Sequence, residues 1–114
     1  MDGLSLYQEL QNKVGLLDVA VREIRARGTA YSQAERDYRV ALRKAVLDER
    51  GKGTPVTIIS DVCRGREDIA QLRLERDCAE TLYRSALEAL NVYKLQARLI
   101  ENQIAREYGQ PGTS

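Results

Sequence analysis

The sequence predicts an all-α fold: a long antiparallel coiled-coil helical hairpin with a short helical tip segment, assembling as a helical-bundle homo-oligomer. Three observations carry this expectation. Mostly apolar positions recur at alternating steps of three and four through the first half: Tyr7, Leu10, Val14, Leu17, Val21, Ile24, Gly28, Tyr31, Glu35, Tyr38, Leu42 and Ala45. The same spacing runs through the second half, at Ile69, Leu72, Arg76, Ala79, Tyr83, Ala86, Leu90, Tyr93, Ala97, Ile100 and Ile104. Between them lies a breaker-rich linker, Gly51-Lys52-Gly53-Thr54-Pro55. A heptad period keeps one seam of a helix against a partner, and a short connection makes the two helices antiparallel neighbours.

The first helix is expected over about 4–50, with Asp2 or Ser5 as N-cap, since either side chain accepts from an unpaired backbone N–H. Gly15 and Gly28 lie inside it, each costing roughly 1 kcal/mol relative to Ala. The stripe keeps its phase across Gly28, which favours one continuous helix. The alternative is a break at Arg27-Gly28-Thr29, after which Ser32 and Glu35 would form a capping box. Two glycines and Pro55 end this helix. The tip, 51–65, contains the apolar run Val56-Thr57-Ile58-Ile59-Ser60-Asp61-Val62-Cys63. Thr57 as N-cap and Gly65 as terminator predict one or two helical turns there, with Val and Ile side chains plugging the closed end. The second helix is expected over about 66–108, and the tail 109–114 to be frayed. All 114 residues are expected to form a single domain.

Composition narrows the function. The chain has 18 basic and 17 acidic side chains, so no overall field draws it to nucleic acid or anionic lipid. It has no histidine. That removes the usual general base, most catalytic triads and His-containing metal sites. Cys63 and Cys78 alone do not complete a structural zinc site. Gly51-Lys52-Gly53-Thr54 lacks the upstream glycine and the hydroxyl residue directly after lysine that a phosphate loop requires. The expectation is a protein that is not an enzyme and uses no cofactor or metal. The opening Met1-Asp2-Gly3-Leu4 carries no basic or apolar leader pattern, and no run is long enough to span a bilayer. A cytoplasmic protein with reduced thiols is therefore expected, without a membrane partner.

Three groups of residues are candidate sites. At the tip, Lys52, Arg64 and Arg66 offer cations and Thr54 and Thr57 offer hydroxyls, on a loop that a rigid scaffold presents. In the seam, Tyr31, Glu35, Tyr38 and Arg76 form either a polar layer that pins register or an anion or nucleotide site, because arginine supplies a planar donor fork and tyrosine a stacking face. Off the seam, Leu16, Val19, Val92, Leu95 and Leu99 form outward apolar groups at one level of the hairpin, expected to be an oligomer interface. Facing residues of an antiparallel pair have numbers with a constant sum, and sums of 114 and 121 both match core layers. The repeated triplets Glu35-Arg36-Asp37 and Glu75-Arg76-Asp77 favour 114. That register sets Gly28 beside Ala86, Tyr31 beside Tyr83 and Tyr38 beside Arg76. It also predicts Asp37 near Arg76, Arg36 near Asp77 and Arg39 near Glu75.

The run Gly53-Thr54-Pro55-Val56-Thr57-Ile58-Ile59, then Arg64-Gly65, Arg76-Asp77 and Ser85-Ala86-Leu87-Glu88-Ala89-Leu90, with the terminal Glu101-Asn102-Gln103-Ile104-Ala105-Arg106-Glu107-Tyr108-Gly109, resembles small all-helical proteins encoded in phages and prophages of Gram-positive bacteria. The resemblance implies phage biology in a bacterial host cytoplasm and brings no catalytic residues. The function expected is a non-enzymatic interaction protein that binds itself and a host or phage partner, countering host defence or sequestering a nucleotide signal. The alternatives are a DNA-binding accessory of phage replication or recombination, and a structural assembly protein.

Overall fold

The structure, a computed structural model, describes residues 3–109. Three helices make up the described chain: α1 over Gly3–Gly51, α2 over Val56–Arg64 and α3 over Glu67–Tyr108. The fold of the described residues is thus all-α, with α2 lying between α1 and α3 in the chain. The helix expected over 4–50 is unbroken at Gly28, so the two-helix alternative is not realised. Asp2 as a cap and the tail from 110 onward lie outside the described residues. Ser5 is not the N-cap, because α1 already begins at Gly3 and holds Ser5 in its first turn.

Both ends of the linker follow from backbone chemistry. Gly53 has φ +83°, the left-handed region that a side chain disfavours. This bend lets the Thr54 N–H donate to the Glu49 carbonyl at 3.1 Å and the Gly53 N–H to that of Arg50 at 3.1 Å. The pair of bonds is the Schellman arrangement that satisfies the last carbonyls of a helix. Pro55 then opens α2 at Val56, with φ −56° already suited to a helix start and its carbonyl accepting from Ile58. Thr57 therefore sits inside the first turn and is not the cap. Gly65 ends α2 as expected, its N–H donating to the Asp61 carbonyl at 3.0 Å. At the start of α3, Asp68 accepts from the Ile69 N–H at 2.9 Å, and Glu67 adds a second acid where the helix dipole favours one.

Ala26–Tyr83 forms one compact unit. Its core is Tyr38, Ala45, Ile59, Cys63 and Ile69, with Ala41, Leu42, Val46 and Leu72 packed around them. Helix α2 contributes only Ile59 and Cys63 to this core, while Val56 is 80% exposed and Ile58 also faces solvent. The plug is narrower than the apolar run implied, because nine residues of helix present one face inward. Both cysteines are free thiols.

Within this unit the register is the one with facing sum near 114. Tyr31 and Tyr83 stack with centroids 6.1 Å apart, and Arg76 lies 4.6 Å over the Tyr38 ring. Gly28 packs against Tyr83: a Cβ there would come within 3.2 Å of the ring. The predicted cross-helix charge pairs do not form. Arg39 pairs with Glu35 one turn back, Arg36 with adjacent Asp37, and Arg76 with adjacent Asp77 as well as Glu35. Acids on the same helix lie within easy reach of these long side chains, so local pairs displace the reciprocal ones.

The second unit joins the stretch up to Arg25 with that from Arg84. Leu6, Ala20, Ala86, Ala97 and Ile100 are buried among its described residues. Every α3 stripe position is covered in its unit, but the α1 stripe is not. Here Tyr7, Val14 and Val21 are exposed, and Leu6 and Ala20, one residue earlier in the heptad, are inside. Leu10, Leu17 and Ile24 of the stripe remain half-buried, so only part of the inward face is shifted, by one residue or about 100° around the helix. No helix among the described residues is long and apolar enough to cross a membrane.

Gly15 and Gly28 allow a direct comparison, since a Cβ at Gly15 meets nothing within 4 Å. Gly15→Ala should raise unfolding free energy by about 0.5–1 kcal/mol in urea denaturation. Gly28→Ala gains the same helix propensity but must displace Tyr83, so it should gain less or lose stability. Equal gains would contradict the close packing of Tyr83 on α1.

Candidate functional site

All three helices of the Ala26–Tyr83 unit converge on one cationic recess. Helix α1 supplies Tyr38, Arg39 and Leu42, α2 supplies Arg64, and α3 supplies Arg73 and Arg76. The recess encloses about 200 Å³. Local folding places each group. Tyr38 and Leu42 occupy the α1 seam, and Arg39 follows Tyr38 at its edge. Arg64 ends α2 directly after buried Cys63, at the helix terminus where a cation is favoured. Arg73 and Arg76 stand three apart on α3, so they share a face.

Arg76 is the fixed member. Its guanidinium stacks on Tyr38, which is only 4% exposed, and Nη1 donates to Glu35 Oε2 at 3.3 Å. Nε and Nη2 donate to Asp77 Oδ1 at 3.0 and 2.8 Å. Hydrogen bonding to Asp77 raises its pKa further; partial burial opposes this, and Glu35 adds to the rise. Arg39 Nε donates to Glu35 Oε1 at 2.7 Å. That hydrogen bond, with help from the charges of Arg39 and Arg76, holds the Glu35 carboxyl below its ordinary range despite some desolvation. Two carboxylates thus engage Arg39 and Arg76. Arg64 and Arg73 have no ion pair or hydrogen bond among the described residues.

The tip residues are arranged differently from the expectation of an open binding loop. Thr54 Oγ1 donates to Glu49 Oε2 at 2.7 Å, and Lys52 Nζ lies 3.3 Å from Asp48 and 3.7 Å from Glu49. Arg66 reaches Asp48 at 3.1 Å, Glu49 at 3.9 Å and Asp68 at 3.4 Å. Glu49 is 8% exposed, and a carboxylate so buried needs these partners. The hydrogen bond from Lys52, and more weakly Arg66, lowers the Asp48 pKa. Lys52, Thr54 and Arg66 therefore tie the end of α1 to the start of α3. Thr57 is exposed on α2, and of the five tip candidates only Arg64 reaches the recess.

Of the seam candidates, Tyr38 and Arg76 line the recess, Glu35 supports it, and Tyr31 is stacked on Tyr83. Arg39 and Arg73 were not among the candidate site residues read from the sequence. Their signal was adjacency to the seam residues Tyr38 and Leu72, together with the three-residue spacing of Arg73 and Arg76. In the other unit, Leu16, Val19, Val92, Leu95 and Leu99 are all exposed. Leu16 and Val19 border a groove of about 140 Å³ shared with Ala20, Ala86, Ala89 and Tyr93.

Comparison with protein-family models, with curated proteins and with solved structures finds no match to this chain.

Proposed function

We propose that this chain is a non-enzymatic binding protein that captures an anionic ligand in the arginine recess. The observation that carries the reading is the convergence of two unpaired guanidiniums, Arg64 and Arg73, beside the anchored Arg76. Like charges gathered in one recess repel, and a bound anion relieves that repulsion while offering each planar donor fork an acceptor. The lining side chains are tyrosine, leucine and arginine, a set suited to holding an anion rather than to moving protons. The resemblance to phage-encoded proteins supplies a setting: removal of an anionic host signal, which counters a host defence without chemistry. Nucleic-acid binding is the weaker reading, because a formal net charge of +1 provides little long-range attraction to a duplex.

We further propose self-association through the apolar positions Leu16, Val19, Val92, Leu95 and Leu99. Val92, Leu95 and Leu99 follow helical spacing on α3, and all five stand in water in the single chain. The unit that carries them buries few large side chains of its own, so a second copy supplies the missing apolar cover.

Thermal unfolding followed by circular dichroism tests ligand capture. Pyrophosphate should raise Tm progressively, by the equivalent of about 2.7 kcal/mol at a hundredfold excess over Kd. An Arg64→Ala/Arg73→Ala variant should respond little, and Arg98→Ala, an exposed site elsewhere, should respond like the parent. No shift, or an equal shift in the double variant, would contradict the reading. For assembly, Leu95→Glu should lower the mass measured by light scattering, and an unchanged mass would exclude this face as the interface.

A further inference from the structure

We infer that the recess selects a dianionic phosphate monoester, reading the phosphate group and not the rest of the molecule. This rests on the reading of the recess as an anion site and specifies the chemistry of its ligand. The first argument is charge. Four guanidiniums line the recess, and two carboxylates engage them: Glu35, shared by Arg39 and Arg76, and Asp77 on Arg76. Two positive charges remain, on Arg64 and Arg73. A phosphate monoester carries about −1.5 to −2 at neutral pH and presents three terminal oxygens. A phosphodiester carries one charge and two free oxygens, so it leaves one guanidinium unmatched.

The second argument is the absence of an open ring face. Tyr38 is the aromatic side chain of the recess, and it is 4% exposed with Arg76 lying on it at 4.6 Å. A nucleobase therefore has no platform on which to stack inside. Tyr31 and Tyr83, the other tyrosines of this unit, are occupied with each other. The third argument is size. About 200 Å³ holds a phosphate group and leaves the sugar or other substituent outside.

Titration calorimetry at neutral pH on the full chain separates the outcomes. The probes are inorganic phosphate, ribose 5-phosphate, adenosine 5′-monophosphate and adenosine 3′,5′-cyclic monophosphate. The first three should bind within about tenfold of one another, and the cyclic diester at least about tenfold more weakly, as expected for one lost charge-assisted hydrogen bond. Arg73→Ala should weaken monoester binding about tenfold or more and shrink the gap to the diester. Arg98→Ala should leave both unchanged. Equal or tighter binding of the cyclic diester would overturn the monoester assignment while leaving an anion site in place. Binding of adenosine monophosphate without ribose 5-phosphate or inorganic phosphate would show that the nucleoside is read, and would also overturn it. Binding of none of the four would remove the anion site and this inference together.

Discussion

The stacking of Arg76 on Tyr38 is the interaction on which the Ala26–Tyr83 unit depends. A guanidinium in a helix seam is costly unless its charge and donors are met. Here the ring face lies 4.6 Å away, Asp77 takes two donors and Glu35 takes a third. The cation–π contact alone contributes about 1–2 kcal/mol when partly desolvated. It also joins α1 to α3 at one level, so the polar layer sets the register that brings Tyr31 onto Tyr83. With Arg76 held in that layer, Arg39 and Arg73 at its edges and Arg64 at the end of α2 open onto the same recess.

Division of charge follows from the same geometry. At the connection, Asp48, Glu49 and Asp68 draw in Lys52, Thr54 and Arg66, so those cations close the structure. On the recess side, acids are fewer than guanidiniums, and the surplus remains available to a ligand. The tip is thus a clasp, and the proposed anion site lies where α2 ends against the seam. Helix α2 matters less for the hydroxyls it exposes than for burying Ile59 and Cys63, which aims its last residue at Arg73 and Arg76.

Much of the fold was legible because its determinants are local and periodic. The helix expected over 4–50 spans Gly3–Gly51, and that over 66–108 spans Glu67–Tyr108. Layer counting left sums of 114 and 121 open, and the charge triplets chose 114; Tyr31 with Tyr83 and Tyr38 with Arg76 bear that register out, although the charge pairs that selected it do not form. The N-cap of α2 was misread because Pro55 shapes the backbone without a capping side chain, leaving Thr57 inside the helix, whereas Gly65 ends it as expected. The buried face of α1 before Arg25 was read only in part: Leu10, Leu17 and Ile24 are half-buried, but Leu6 and Ala20 take the places expected of Tyr7 and Val21. Charge pairing failed for Arg36, Arg39 and Arg76 because acids on their own helix lie closer. Arg39 and Arg73 stayed hidden because only the path of α2 shows that Arg64 joins them.

The arginine Nε–H groups report this arrangement most directly. In nitrogen-15 NMR of the free protein, the Arg76 Nε–H, bonded to Asp77, should exchange slowly with water, while those of Arg64 and Arg73 exchange fast. Adding phosphate should slow Arg64 and Arg73 together along one saturable curve and leave Arg98 unaffected. Equal exchange at Arg76, Arg64 and Arg73 in the free protein, or a response to phosphate no greater than that of Arg98, would contradict a fixed guanidinium flanked by two free ones.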